Sequence, residues 1–154
     1  MTSLDCNFEC NCICQWEYDL TGQYNWTLNK GSTQNLLTGP SADHTTDSED
    51  GYYLYSKSIL VDSSTPASAR IISPYSKIKS NGGCLKFFYH MYGADVDKIN
   101  IYLTEANSND NGKPVWQKYG NRGDKWLFGH VYVEAESSET DYKFIIEGTV
   151  CICA

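Results

Sequence analysis

GCLKFFYHMYG, from Gly83 to Gly93, alternates with a period of two: Leu85, Phe87, Tyr89 and Met91 fall on one side of an extended chain, and Lys86, Phe88, His90 and Tyr92 on the other. This is the pattern of a half-buried strand, with one face on a core and the other turned to water. Working outward, the same alternation recurs between turn signals. It predicts strands over Gln15 to Leu20, Gly51 to Tyr55, Ala69 to Ser73, Leu85 to Tyr92, Lys98 to Thr104, Trp126 to Glu134 and Tyr142 to Gly148. In Ile99, Ile101 and Leu103 the buried face is plain. The stretches Ser41 to Asp50, Asp62 to Ser68 and Ala106 to Pro114 read as loops, rich in Ser, Asn, Asp, Gly and Pro. No segment of about twelve residues carries helical periodicity. The expected architecture is all-β, a two-sheet antiparallel sandwich or a closed barrel.

The 154 residues are expected to form one domain, 1–154, large enough to bury roughly 70% of the surface of the unfolded chain. Nineteen acidic against twelve basic residues give a net charge of −7 with the cations scattered, which argues against a nucleic-acid partner. No apolar run reaches the length of a bilayer span, so direct membrane insertion is not expected, and the opening MTSLDCNF carries no signal segment. The chain is therefore read as an excised fragment, a cloning product or an incomplete gene reading of a secreted or membrane-anchored protein. Two features point to an oxidising, extracellular setting. One is the seven cysteines; the other is the glycosylation sequon Asn25-Trp26-Thr27, which makes Asn25 a candidate acceptor.

Seven cysteines leave at least one without a partner, and roughly a hundred pairings of the rest are open from the residues alone. Cys10, Cys12 and Cys14 share a face if extended, and Cys151 and Cys153 form a second spaced pair, so bridges between the termini are conceivable. The alternative is a zinc thiolate site built from these five, although their spacing is not that of the common C-x₂-C knuckles. The histidines His44, His90 and His130 sit in no catalytic motif, and no nucleophile elbow, zinc helix or phosphate loop is present. Each histidine is read as a surface or hydrogen-bonded residue, and no catalysis is expected.

Several short pieces recur in a fixed order: CNFE at Cys6 to Glu9, CQW at Cys14 to Trp16, YNW at Tyr24 to Trp26, PSADHT at Pro40 to Thr45, GYYLY from Gly51, ARIISP at Ala69 to Pro74, the Gly83 segment, KINIYL, PVWQKYG, GDKW at Gly123 to Trp126, and FIIEG at Phe144 to Gly148. Their order and spacing from Cys6 to about Thr149 resemble the MAM domain, the module named after meprin, A5 antigen (neuropilin) and receptor tyrosine phosphatase mu. The resemblance implies a jelly-roll-like sandwich of two antiparallel sheets, stabilised by disulfides. It also implies an extracellular, noncatalytic module of a larger ectodomain that works in homophilic or ligand-directed adhesion.

The family pattern further implies a Cys6–Cys14 bridge and a bridge from Cys84 to the C-terminal cysteines, Cys151 or Cys153. The second is plausible if the strand that starts at Cys84 lies antiparallel to the one ending near Val150. The two loops would be worth about 2.5 and about 4.4 kcal/mol on the chain-entropy model. Glu9 and Asp43 match likely ligands of a cation in the family, and calcium suits such oxygen donors. The other reading has Glu9 pinning the N-terminal turn and Asp43 bonding loop amides. Two departures stand out. Where members continue into a further strand with an Ile-Ala-(Ile/Leu)-Asp-Asp core and a closing cysteine, this sequence reads CICA, so the family's final strand is expected to be missing and a sheet edge bare. The CNCIC cluster also adds Cys10 and Cys12 to the usual pair.

Three functions are weighed. The first is recognition of a protein partner, or self-association, through exposed aromatics on rigid strands. The second is glycan binding, with Trp116, Tyr119 and Tyr132 as stacking candidates. The third is an accessory role beside a secreted protease or receptor enzyme.

Overall fold

The computed structural model describes residues 4–22, 24–56 and 67–150, and among them it contains ten strands and no helix. They are β1 (Glu17–Asp19), β2 (Trp26–Lys30), β3 (Tyr52–Ser56), β4 (Ala67–Ile72), β5 (Ser76–Lys77), β6 (Gly83–His90), β7 (Val96–Glu105), β8 (Trp116–Tyr119), β9 (Trp126–Val133) and β10 (Asp141–Val150). The run YKFIIEGTV takes the central place: β10 lies between β4 and β7, and six of the eight residues from Tyr142 to Thr149 are buried. The first sheet runs β1-β4-β10-β7-β8, with β5 also on β10. Two ribbons, β2-β3 and β6-β9, complete the described strands, and every pairing is antiparallel.

Register turns alternation into layers. Tyr18, Ile71, Ile146, Ile101 and Trp116 stand opposite one another across β1, β4, β10, β7 and β8. All five join the core cluster, where Val131 and Val133 of β9 and Leu85 and Phe87 of β6 meet them. One residue along each strand, on the opposite face, lies a polar row: Asp19, Arg70, Glu147, Asn100 and Gln117. Arg70 Nε donates to Glu147 Oε2 at 2.6 Å, Asn100 Nδ2 to Glu147 Oε1 at 2.9 Å, and Tyr102 Oη to the same oxygen at 3.1 Å. Gln117 Nε2 extends the row by donating to Asn100 Oδ1. Burial alone would push the Glu147 carboxyl up, but the bonds from Asn100 and Arg70 outweigh it and hold it below its ordinary range.

Aromatic side chains join the layers. Trp116, on the edge strand β8, meets Phe87 and Tyr89 of β6 edge-on, with centroids 4.8 and 5.1 Å apart. Trp26 of β2 donates from Nε1 to Ala69 O at 3.0 Å, and its ring lies so close over Gly148 that a Cβ there would stand 2.9 Å from it. Tyr24 Oη donates to Gly148 O at 3.1 Å, fastening the same ribbon to β10.

Three strands, β2, β5 and β8, are absent from the sequence reading because WTLNK, SK and WQKY show no clean alternation. The stretch Gln15 to Leu20 shrinks to β1, with Trp16 buried just before it, and the strand expected over Leu85 to Tyr92 begins two residues earlier and ends at His90. Ala67 and Ser68, read as loop from their small-polar composition, open β4, where Ala67 is buried. The strand beginning at Cys84 pairs with β9, not with β10, which belongs to the other sheet. Gly83 stands opposite Val133 and His90 opposite Trp126, so the proximity expected for Cys84 and Val150 does not come from neighbouring strands.

Candidate functional site

The outward face of the β6-β9 ribbon carries an aromatic ladder. Cross-strand partners on this face are Cys84 with Tyr132, Lys86 with His130, and Phe88 with Phe128. Phe88, Phe128 and Tyr132 are 46%, 53% and 58% exposed. The Phe88 and Phe128 rings lie 5.3 Å apart, and His130 stacks on Phe128 at 5.7 Å. His44, from the loop between β2 and β3, stacks on Phe88 with centroids 3.3 Å apart. None of these seven residues is a carboxylate, on a chain whose net charge is −7.

The loop that carries His44 is held rigidly. Asp43 is fully buried and its carboxylate gathers Thr46 N at 2.7 Å, Thr46 Oγ1 at 2.6 Å and Ser48 N at 3.1 Å. Burial would raise the Asp43 carboxyl, and the bonds from Thr46, Ser48 and Thr45 bring it below its usual value instead. Gly51 is required beside it, since any Cβ there would overlap the Asp43 carboxyl. Trp126 Nε1 donates to Ala42 O at 2.9 Å and secures the loop to β9. At the end of the ladder His90 departs from its neighbours. Its side chain is buried, Nε2 lies 3.1 Å from Asp124 Oδ1, and the ring meets Trp126 edge-on. Its Nδ1 is buried without a partner among the described residues. Burial lowers the His90 pKa, and the Asp124 carboxylate offsets this only in part.

Glu9 accepts from Tyr52 N at 3.2 Å, tying the N-terminal segment to β3. The N–H and O–H groups of Thr45, Thr46 and Ser48 converge on the Asp43 carboxylate as a hydrogen-bonded anion clasp.

A cavity of about 1700 Å³ opens between the ribbons. Every residue of β3 and of β6 borders it in succession, as expected where strand edges, not faces, form the walls; Ile71, Ile101, Phe144 and Ile146 form the apolar floor. Among the described strands β3 has only β2, and β6 only β9, as a partner.

The cysteines divide into two groups. Cys6 bridges Cys14 with a Cα separation of 5.8 Å, and Cys10 bridges Cys12 at 5.1 Å. The sulfurs of Cys10, Cys12 and Cys14, considered above as zinc thiolates, are therefore all held in bridges. Cys84 is exposed and has no bridge among the described residues, while Cys151 and Cys153 lie outside them. Asn25 is exposed at the entry to β2. Of the glycan-stacking candidates, Trp116 is committed to Phe87 and Tyr89, Tyr119 stands on the first sheet, and Tyr132 on the ribbon. The sequence reading missed Phe88, Phe128 and His44 as one surface. The signal available was the polar-side placement of a phenylalanine inside an alternating strand.

Comparison with known proteins gives a consistent picture. The family model described as MAM domain, meprin/A5/mu, matches residues 6–152. MAM domain-containing glycosylphosphatidylinositol anchor protein 2 of Mus musculus is 32% identical over 159 residues, covering 93% of this chain and 16% of that protein. Neuropilin-1 of Xenopus laevis is 31% identical over 152 residues, covering 97% of this chain and 15% of that protein. The chain thus spans about a sixth of the length of these curated relatives. Among solved structures, the K1 cleaved adhesin domain of Lys-gingipain from Porphyromonas gingivalis W83 superposes with a TM-score of 0.52 at 17% identity, over 88% of each chain, a likeness of fold alone.

Proposed function

Because the chain belongs to the MAM domain family, we propose that it is a noncatalytic recognition module of an extracellular or membrane-anchored protein, and that it binds protein through the outward face of the β6-β9 ribbon. Relatives named as a glycosylphosphatidylinositol anchor protein and as a neuropilin support the extracellular setting. The observation that carries the binding reading is the ladder itself, in which Phe88, Phe128 and Tyr132 are about half exposed although each could have been polar without harm to the core. A second copy of the chain is the partner this face suits. Two domains of net charge −7 repel, and the repulsion is least across a ladder whose seven residues include Lys86 and no carboxylate.

Sedimentation equilibrium at high micromolar concentration tests this. The parent is expected to self-associate, and Phe88→Ser with Phe128→Ser to weaken association roughly 30-fold or more, the effect of truncating an interface anchor worth about 2 kcal/mol. Their melting should stay near that of the parent, because both side chains stand outside the core. Strictly monomeric parent protein would remove the homophilic version, and a parent that binds a glycan array through Tyr132 would favour the carbohydrate reading.

Calcium has a separate test. With the Asp43 carboxylate already held by the Thr46 and Ser48 donors, melting curves in millimolar calcium and in chelator are expected to coincide. A rise in melting temperature specific to calcium would support Glu9 and Asp43 as ligands.

A further inference from the structure

The two N-terminal bridges stand unusually close to each other. The sulfurs of Cys10, Cys12 and Cys14 all lie within 4.8 Å of one another, and all three residues are exposed. Cys14 belongs to one bridge and Cys10 and Cys12 to the other, so one disulfide is within reach of the other's sulfurs.

Their supports differ. Cys6 and Cys14 are flanked by anchored residues. Leu4, Cys6 and Ile13 pack on the core, Trp16 is buried, and Trp16 Nε1 donates to Leu4 O at 3.1 Å. Cys10 and Cys12 sit at an exposed loop tip with no side chain of the core upon them, so once their bond opens little keeps their sulfurs together. The loop is also strained. Phe8 and Cys14 have φ of 67° and 56°, in the left-handed region that such side chains disfavour, and both lie within the segment that Cys6–Cys14 closes.

We propose that Cys6, Cys10, Cys12 and Cys14 form a thiol–disulfide exchange site whose external reactant is a small thiol of the glutathione class. Its thiolate attacks Cys10 Sγ, forming a mixed disulfide, and Cys12 leaves as a thiolate with the bonding pair. The Cys12 thiolate, already beside Cys14 Sγ, attacks it. The Cys12–Cys14 bond forms, the Cys6–Cys14 bond breaks, and Cys6 leaves as a thiolate. Cys6 then attacks Cys10 Sγ, closing Cys6–Cys10 and returning the small thiol. Two bridges enter and two leave, with no net oxidation, so the thiol acts as a catalyst of re-pairing.

The re-pairing has a structural consequence. The segment from Leu4 to Phe8 borders the cavity beside β3, and Glu9 accepts from Tyr52 N. Moving the partner of Cys6 from Cys14 to Cys10 shortens the closed loop and re-sets that wall. The thiol balance of the surroundings would thereby control access to the edge of β3.

The test incubates the full chain in a buffer of reduced and oxidised glutathione, quenches with acid, cleaves after Glu9 and Glu17, and assigns bridges by tandem mass spectrometry. The expected result is a species with Cys6–Cys10 and Cys12–Cys14 that grows with thiol concentration. In the Cys10→Ser, Cys12→Ser double variant, where the relay is removed, alkylation of Cys6 in the same buffer is expected to slow on the order of tenfold. Only the original pairing in the parent at every thiol concentration, or Cys6 labelling in the variant at the parent's rate, would overturn the proposal.

Discussion

Arg70→Ala is expected to lower the unfolding free energy by about 2–3 kcal/mol, measured by urea titration at neutral pH, the low side of the cost of orphaning a buried charge because Arg70 itself is partly exposed. The Glu147 side chain is only 8% exposed, and its Oε2 has Arg70 as its partner, while Asn100 and Tyr102 share Oε1. Removing the guanidinium leaves a carboxylate in a poorly solvated row with its Oε2 stripped of the Arg70 bond. The double variant Arg70→Ala, Glu147→Gln should recover part of the loss, because the uncompensated charge goes with the glutamate. Equal destabilisation by the single and double variants would show that the row is held by packing alone.

Acid provides a second reading of the same row. Glu147 and Asp43 both have folded pKa values below their unfolded ones, so their stabilisation is present above the ordinary carboxylate range, about pH 4, and is lost as pH falls through the folded values. His90 acts earlier. Its folded pKa is depressed, so the unfolded chain binds its proton first, and stability declines as pH drops below about 6.5. In Arg70→Ala the Glu147 contribution should disappear at a higher pH than in the parent.

Gly129→Val is expected to cost about 3 kcal/mol or more, at the upper end of overpacking effects. Gly129 is buried in the middle of β9 directly opposite Phe87, and a Cβ there would overlap the Phe87 ring. Phe87 cannot retreat easily, since Trp116 presses on it from β8 at 4.8 Å. The strain would fall on the joint between β6 and the edge of the first sheet. Adding Phe87→Leu to Gly129→Val should restore some stability by vacating the overlap, and a neutral Gly129→Val would mean that the ribbon can shift away from β8.

What the sequence disclosed follows from where period two is clean. β6, β7 and β10 were legible because apolar residues alternate or run on unbroken, whereas β2 and β8 mix tryptophan with Thr, Asn, Lys and Gln on both faces. The three central members of the polar row sat in view between apolar or small neighbours: Arg70 between Ala69 and Ile71, Asn100 between Ile99 and Ile101, Glu147 between Ile146 and Gly148. Only the register reveals that they face one another, because Arg70 and Glu147 are 77 positions apart. The aromatic surface was half legible. Phe88 was placed on the outward face of its strand, but its contacts with Phe128 and His44 depend on a ribbon pairing and a loop anchor that periodicity does not encode. His90 shared that face by alternation and is buried all the same, with Trp126 and Tyr92 edge-on to its ring and Asp124 at its Nε2. The Cys10–Cys12 pairing was beyond composition, because three cysteines at spacing two offer equivalent partners until the turn around Asn11 is known.

A nuclear magnetic resonance dilution series on the intact chain reads the proposed surface directly. The aromatic signals of Phe88, Phe128 and Tyr132 should move together as concentration rises, while those of the core residues Phe144 and Tyr142 stay still. Concentration-dependent shifts confined to residues away from β6 and β9, or no shifts up to high micromolar concentration, would contradict the account.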